Sequence, residues 1–382
     1  MVRIQSFQCT IAQITKMSIT KKIKIAFVMP HLSVGGAESV VKNFIQNLNR
    51  EKFDITLILI SELWDDQAID FQNVNILECK QDKLRNAIPG LVQFLRKSNP
   101  DIIFSSLAYL NLLLIFLSLT RAIKGRVVVR EANMPNKNIK NSQYPVLFKC
   151  LYKMLYRHAQ LVIASSQTMQ DEFINFFDHP KTKITVINNP VDELAIRDQS
   201  LSLEMIDTKT RYIVAAGRLT HQKGYDILLE WFASTKLKSY QLIVLGDGPL
   251  KHDLINQVNS LKIQHLVKFL GYQNNPWPWY AYADIFMLAS RWEGMPNAVL
   301  ESLACGTPVI ISKEAGGIAD LSRLCEPGAV SIFNDPSEID SIIDSLELNK
   351  TQSSKNSLLP REYSIASSIE SLEEIFQDIA YL

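Results

Sequence analysis

A chain of 382 residues with 47% hydrophobic and 21% charged side chains, 14 glycines and 15 prolines has the make-up of a folded globular protein. That excludes a disordered, collagen-like or low-complexity chain, and at roughly 150 residues per domain the length predicts two domains. The five cysteines (Cys9, Cys79, Cys150, Cys305, Cys325) are dispersed with no CxxC pair, which argues against a disulfide framework or structural zinc and fits a reducing cytosol. Net charge is only +1, yet residues 1–190 carry 24 Lys and Arg against 14 Asp and Glu, and residues 191–382 carry 16 against 25. Opposed halves point to different partners. The basic half has no nucleic-acid motif, so an anionic membrane face or a phosphorylated acceptor suits it better.

Residues 1–20 carry Arg3 and Lys16 but no continuous apolar run, so they read as a loose extension and not as a signal peptide. Met17 is an alternative start. Residues 22–29 (KIKIAFVM) read as a strand, the loop through Gly35 and Gly36 follows, and residues 37–48 have apolar side chains at helical spacing. Strand, glycine turn and helix open a parallel α/β unit. Strands are predicted at 53–60, 102–105, 126–129 and 161–164, with helices at 88–97, up to 119 and 146–158. The apolar stretch 107–119 contains Tyr109, Asn111 and Ser118. It is too short to span a bilayer and reads as a buried helix.

The polar segment 188–210 contains Pro190 and no sustained period, so the connection is placed at 191–210. The pattern then restarts, with strands at 212–216, 241–245, 267–270, 285–288 and 308–311 and helices at 224–232, 250–261 and 296–304. A final helix near 365–380 carries Leu372, Ile375, Phe376 and Ile379 on one face. The fold class expected is α/β, two doubly wound Rossmann-like domains facing across a cleft. The domains are 1–190 and 211–360, with a C-terminal helix, 361–382, that can cross back to the first.

Ligands of such sheets bind where strand ends, loops and helix N-termini converge. Three loops there carry special residues. In 217–224 (GRLTHQKG), Arg218 and Lys223 place a planar fork and a point charge beside a helix start, a combination that attracts a diphosphate. In 293–301 (EGMPNAVLE), Pro296 suits a first helical turn. Main-chain amides at Gly294, Met295, Asn297 and Ala298 face an anion, while Glu293 and Glu301 can accept hydrogen bonds from sugar hydroxyls. Apolar neighbours make an unpaired acid at Glu301 costly, which favours a role for it. In the third loop, Gly35 and Gly36 let backbone approach a ligand, and Glu38 sits in the first helical turn. A GxGxxG after the first strand, a GxxxxGK[ST] and an Asp-x-Asp are all missing, which removes a nicotinamide dehydrogenase, a P-loop NTPase and the usual metal-bound diphosphate site.

Taken in order, GGAE at 35–38, GRLTHQKG at 217–224, GDGP at 246–249 and the stretch 283–310 with its E-x7-E spacing resemble glycosyltransferase family 4, the retaining enzymes of GT-B architecture. The resemblance covers the chain from about Lys22 to the last helix. It implies that Arg218 and Lys223 hold the donor diphosphate and stabilise the leaving nucleotide. It also implies that Glu293 binds the donor sugar with the amides of 294–298, Glu301 the ribose, and Gly36 the opposite wall, while Tyr272 touches the base. The catalytic set would be Arg218, Lys223, Glu293 and Glu131, with no metal and no cofactor.

Where many members place a histidine, this chain reads Arg130-Glu131-Ala132-Asn133, similar to enzymes that extend bacterial lipid-linked glycans, capsule or O-antigen units. Arg130, Glu131 and Asn133 are the acceptor candidates. Glu131 either positions the sugar or acceptor or forms a salt bridge with Arg130. Between 121 and 157 there are nine Lys and Arg and one acid, Glu131. Within that stretch, 146–157 alternates apolar and basic faces and suits an anionic leaflet. The resemblance thus implies a hexosyltransferase at the cytoplasmic membrane face, using a UDP-linked hexose or N-acetylhexosamine and a polyprenyl-diphosphate-linked glycan. The rivals are a UDP-N-acetylglucosamine 2-epimerase of the same architecture and a non-catalytic nucleotide-sugar-binding protein.

Overall fold

The structure, a computed structural model, describes residues 21–32, 35–62, 73–201, 210–237, 239–346 and 356–381. The 1–20 extension, Met17, Val34 beside the two glycines and residues 202–209 of the connection lie outside that set. The first sheet contains β1 (Ile23–Met29), β2 (Phe53–Leu59), β3 (Val74–Glu78), β4 (Ile102–Ser105), β5 (Arg126–Arg130), β6 (Leu161–Ala164) and β7 (Ile184–Val186). Its order is β3-β2-β1-β4-β5-β6-β7, every pairing parallel. The second contains β8 (Tyr212–Ala216), β9 (Gln241–Leu245), β10 (Val267–Gly271), β11 (Ile285–Leu288), β12 (Val309–Ser312) and β13 (Val330–Phe333). Its order is β10-β9-β8-β11-β12-β13, again all parallel. The architecture is α/β, two doubly wound sheets each forming a lobe.

Helices cover both faces of a doubly wound sheet, so its inner strands are apolar without alternation. β1 shows this: Ile25 to Met29 are all buried, with Phe27 set between Leu57 of β2 and Phe104 of β4. The order reverses between β1 and β4 in the first sheet and between β8 and β11 in the second. Those two reversal points are where crevices open.

Two crossings tie the lobes. One follows β7 and the other precedes the helix Ile365–Tyr381, and they run side by side, with Val191 N–H donating to Tyr363 O at 2.9 Å and Ile365 N–H to Val191 O at 3.0 Å. That last helix packs on the first sheet, burying Ile369, Leu372, Phe376 and Ile379 with Ile23, Phe27 and Phe53. Phe376 sits 6.0–6.4 Å from the rings of Phe27, Phe53 and Phe104.

The connection is more ordered than its composition suggests. Glu193–Gln199 form a short helix whose Asp192 carboxylate accepts from Ala195 N–H at 3.1 Å, and Ile196 is buried in the second-lobe core. Seven residues with one anchor are too few to show a helical period in sequence.

Candidate active site

In the second lobe, the loops after β8 and β11 flank the reversal point. Gly217 leaves β8 with φ +148°, Leu219 plugs the core, and a tight turn over His221–Lys223 leads to Gly224, φ +64°, at the start of the helix Tyr225–Ser234. A Cβ on Gly224 would lie 2.0 Å from the Ala289 carbonyl oxygen. Only glycine combines that φ with that approach, and the contact presses the 217–224 loop against the one after β11. Lys223 Nζ consequently meets Glu293 Oε1 at 2.5 Å. Ser290 Oγ donates to the same oxygen at 2.9 Å, and Gln222 Nε2 reaches Trp292 O at 2.9 Å and Glu293 Oε2 at 3.5 Å. Glu293 is buried, whereas Arg218 is exposed and has no ion-pair or hydrogen-bond partner for its guanidinium among the described residues. The structure thus brings Lys223 and Glu293 together and leaves Arg218 free to turn to a ligand.

The helix Asn297–Ala304 begins at this point, with Pro296 as its N-cap residue. Among the described residues the N–H groups of Gly294, Met295, Asn297 and Ala298 donate to no protein acceptor. Free amides at a helix start form an anion cradle. One turn and more further along, Glu301 is partly buried and accepts from the Trp277 indole N–H at 3.2 Å. Burial pushes its carboxyl up, and the indole hydrogen bond opposes this. Tyr272 is half exposed after β10, and its phenol is raised first by burial and then by the Glu301 charge. Glu301, Tyr272 and Trp277 therefore form one cluster. Trp277 belongs to no sequence motif considered above, although the aromatic run 277–282 (WPWYAY) follows directly on the Tyr272 segment.

In the first lobe, a small cleft at the β1/β4 reversal is lined by Met29, Pro30, Ala37, Glu38, Ser106 and Leu107. At the end of β5, Arg130 and Glu131 turn to different neighbours, as successive strand residues do. The buried Arg130 donates to Ser106 Oγ at 3.1 Å and to Asn189 Oδ1, and its Nε finds no acceptor among the described residues. Burial pulls this guanidinium down to about 10, against the raising effect of Glu131, and it stays charged at neutral pH. Glu131 Oε1 accepts from Asn111 Nδ2 at 3.2 Å, Tyr152 OH at 3.3 Å and Tyr156 OH. Glu131 is buried, makes no salt bridge with Arg130 among the described residues, and faces the helix Pro145–Leu155. Asn133 Oδ1 does reach the other lobe, accepting from Gln222 Nε2 at 3.3 Å.

The lobes approach closely at Gly294. A Cβ there would meet Ala132 O at 2.2 Å and Met169 Cε at 3.1 Å, both atoms of the first lobe. Gly294→Ala sets a Cβ against the Ala132 carbonyl and the buried Met169 of the first lobe and forces the lobes apart. It is expected to lower turnover at least tenfold, and small-angle scattering should show a larger radius of gyration.

A Lys–Glu pair, an exposed arginine and a helix-start amide cradle meet at the switch point of the second Rossmann-like lobe, an arrangement suited to an anionic ligand. "Glycosyltransferase Family 4" matches residues 34–193 and "Glycosyl transferases group 1" matches residues 198–358, together most of the chain. The protein belongs to this glycosyltransferase family. It is 28% identical over 307 residues (78% of this chain, 83% of the relative) to a Campylobacter jejuni N-acetylgalactosamine-N,N'-diacetylbacillosaminyl-diphospho-undecaprenol 4-alpha-N-acetylgalactosaminyltransferase. It is 24% identical, over 95% of this chain and 98% of the relative, to an Escherichia coli UDP-Gal:alpha-D-GlcNAc-diphosphoundecaprenol alpha-1,3-galactosyltransferase. Among solved structures, Anabaena HepE in complex with UDP and glucose superposes with a TM-score of 0.75 at 20% identity, over 93% of this chain and all of that one, which establishes the GT-B fold.

Proposed function

We propose that the protein transfers a hexose or N-acetylhexosamine from a UDP-sugar, with retention at the anomeric carbon and without a metal ion, to a polyprenyl-diphosphate-linked glycan in surface polysaccharide assembly. The observation that carries the reading is the Lys223–Glu293 pair at the switch point, 2.5 Å apart, with Arg218, which has no partner among the described residues, on the same loop as Lys223. In this reading the second lobe holds the nucleotide sugar. Arg218 and Lys223 bind its diphosphate, the amides of 294–298 and Glu293 bind the sugar, and Glu301 takes the ribose beside Tyr272. The departing phosphate oxygen accepts the acceptor proton on the same face of the sugar. As the glycosidic bond breaks, negative charge grows on the diphosphate, and the two cations are placed to oppose it in the transition state. Relatives named as α-glycosyltransferases acting on diphospho-undecaprenol-linked sugars, one with UDP-Gal as donor, support this choice. Glu131 enters as a group that holds Tyr152 and Tyr156 in place for acceptor binding.

The first lobe would meet the acceptor at an anionic membrane surface. Among the described residues no helix is long and apolar enough to cross a membrane. Phe116 and Leu119 on one helix, with Tyr144, Val146, Leu147 and Met154 on or beside its neighbour Pro145–Leu155, are exposed. Lys149 lies over the Phe176 ring at 4.6 Å and Lys153 pairs with Asp178 at 2.8 Å. Apolar tips among basic side chains suit a peripheral contact with the cytoplasmic leaflet. Reversing Lys149, Lys153 and Arg157 to Glu should reduce flotation with anionic vesicles roughly 100-fold, at about 1 kcal/mol per basic residue. Unchanged flotation sinks this part of the reading.

The activity itself is tested with UDP-glucose, UDP-galactose and their N-acetylated forms, using a diphospho-undecaprenol-linked sugar as acceptor. The expected result is a mass gain of one hexose or N-acetylhexosamine in α linkage, insensitive to EDTA. Epimerised free sugar without acceptor extension would establish the epimerase instead, and no turnover of any donor would leave a binding protein.

A further inference from the structure

The two lobes share one polar chain, buried at its Arg130–Asn189 end. Arg130, at the end of β5, donates to Asn189 Oδ1 in the first crossing. Asn189 Nδ2 donates onward to Met295 O at 3.1 Å and to Asn297 Oδ1 at 2.6 Å. Asn297 Nδ2 then donates to Gly36 O at 2.9 Å. Each amide has a carbonyl end and an NH2 end, and the direction of each is set by its neighbour. A guanidinium only donates, so Asn189 must turn its oxygen to Arg130 and its NH2 to the 295–297 loop. Asn297 must then offer its own oxygen and send its NH2 across to the glycine loop. Arg130 and Asn189 are 1% and 3% exposed, so no water relaxes the arrangement at that end, whereas the Asn297–Gly36 link is exposed. The Asn297 side chain is committed to this bridge, which leaves its main-chain N–H for a ligand.

We infer that Asn189 is a positioning residue for donor binding: the fixed charge of Arg130 in the first lobe sets the direction of the Asn189 and Asn297 amides and thereby holds the 294–298 amides of the second lobe in place. This goes beyond the donor contacts proposed above and rests on them only for the identity of the ligand.

The substitution that separates this from simple packing is Asn189→Asp against Asn189→Ala. Aspartate keeps the shape and gains an ion pair with Arg130, but it sets a carboxylate oxygen against Met295 O and Asn297 Oδ1 with no proton between them. Alanine leaves a gap that water can bridge. Directional positioning therefore ranks the variants by UDP affinity as wild type, then Asn189→Ala, then Asn189→Asp. Calorimetry should show a Kd raised about tenfold or more for Asn189→Asp and only a few-fold for Asn189→Ala, with Asn189→Asp melting no lower than Asn189→Ala. A packing role gives the opposite rank, because aspartate preserves the volume and adds an ion pair. UDP affinity at the wild-type value in Asn189→Asp, or Asn189→Ala as the weaker binder, overturns the inference.

A second readout needs no ligand. The Val299 and Leu300 amides donate to Pro296 O and the Gly317 amide to Gly294 O, so their hydrogen exchange reports the order of this loop. Exchange should be faster in Asn189→Asp than in Asn189→Ala, and equal or slower exchange counts against positioning. If the wild type binds no UDP, the donor reading fails, and the exchange comparison still decides the role of Asn189.

Discussion

Replacing Arg218 with alanine should cut turnover by about 10²–10³-fold, the cost of losing one preorganised charge at a developing anion, while leaving thermal stability unchanged. Its guanidinium is exposed and has no partner among the described residues, so removal breaks nothing that holds the fold. Lys223→Ala should behave differently, although the family resemblance gives both cations one task. Lys223 is 19% exposed and Glu293 7%, and they are paired at 2.5 Å. Removing the lysine loses the proposed phosphate contact and also leaves a buried carboxylate with, among the described residues, only Ser290 and Gln222 as donors. Stranding a charge of that kind costs about 3 kcal/mol, at the low end of the buried-pair range because one partner is partly wet. The lysine variant should therefore lose both activity and several degrees of melting temperature, and Glu293→Gln in the same chain should restore the stability without the turnover. Equal melting temperatures for the two alanine variants would mean that the ion pair is not held in solution.

How far this division is legible in sequence depends on what kind of signal each residue leaves. Gly217, Gly224, Lys223 and Glu293 sit in short motifs whose spacing is forced by backbone geometry, and the structure brings them to one crevice. The inner strands β1, β2, β8 and β9 read clearly because they are continuous apolar runs. β3, β7 and β13 escape a reading of the sequence. Each is an edge strand, three to five residues long and only partly buried, so it lacks a run long enough to stand out. The helices Gln167–Phe177 and Ile318–Leu324 escape it beside such short strands. Arg130 and Asn189 lie 59 residues apart in sequence, and only the sheet order brings them together. Two polar side chains carry no local pattern from which that contact can be read. Glu131 illustrates the same limit, since its partners come from the helices Ala108–Leu119 and Pro145–Leu155 and from the turn that follows the second.

Glu131 also makes the sharpest pH prediction. Its carboxyl is pushed up to about 7, chiefly by burial, against the lowering effect of hydrogen bonds from Tyr156, Asn111 and Tyr152 and of the Arg130 charge. A carboxyl held above its ordinary 4.5 binds a proton more tightly in the folded chain than in the unfolded one. Its contribution to stability is therefore complete below about pH 4.5 and is lost as pH rises through 7. Glu131→Gln removes this titration while keeping an oxygen to accept the same three donors. Every other ionisable group is common to both proteins, so the difference between their unfolding free energies isolates this one. Urea unfolding should show Glu131→Gln gaining about 2 kcal/mol on the wild type between pH 5 and pH 8, because each tenfold change in proton affinity is worth about 1.4 kcal/mol. The gain should level off above about pH 8, where the wild-type carboxyl is fully ionised. Parallel stability curves would place Glu131 in the ordinary carboxylate range. That result requires either solvent at its Oε2 or a direct ion pair with Arg130, and the second would break the chain from Arg130 through Asn189 to the donor loop.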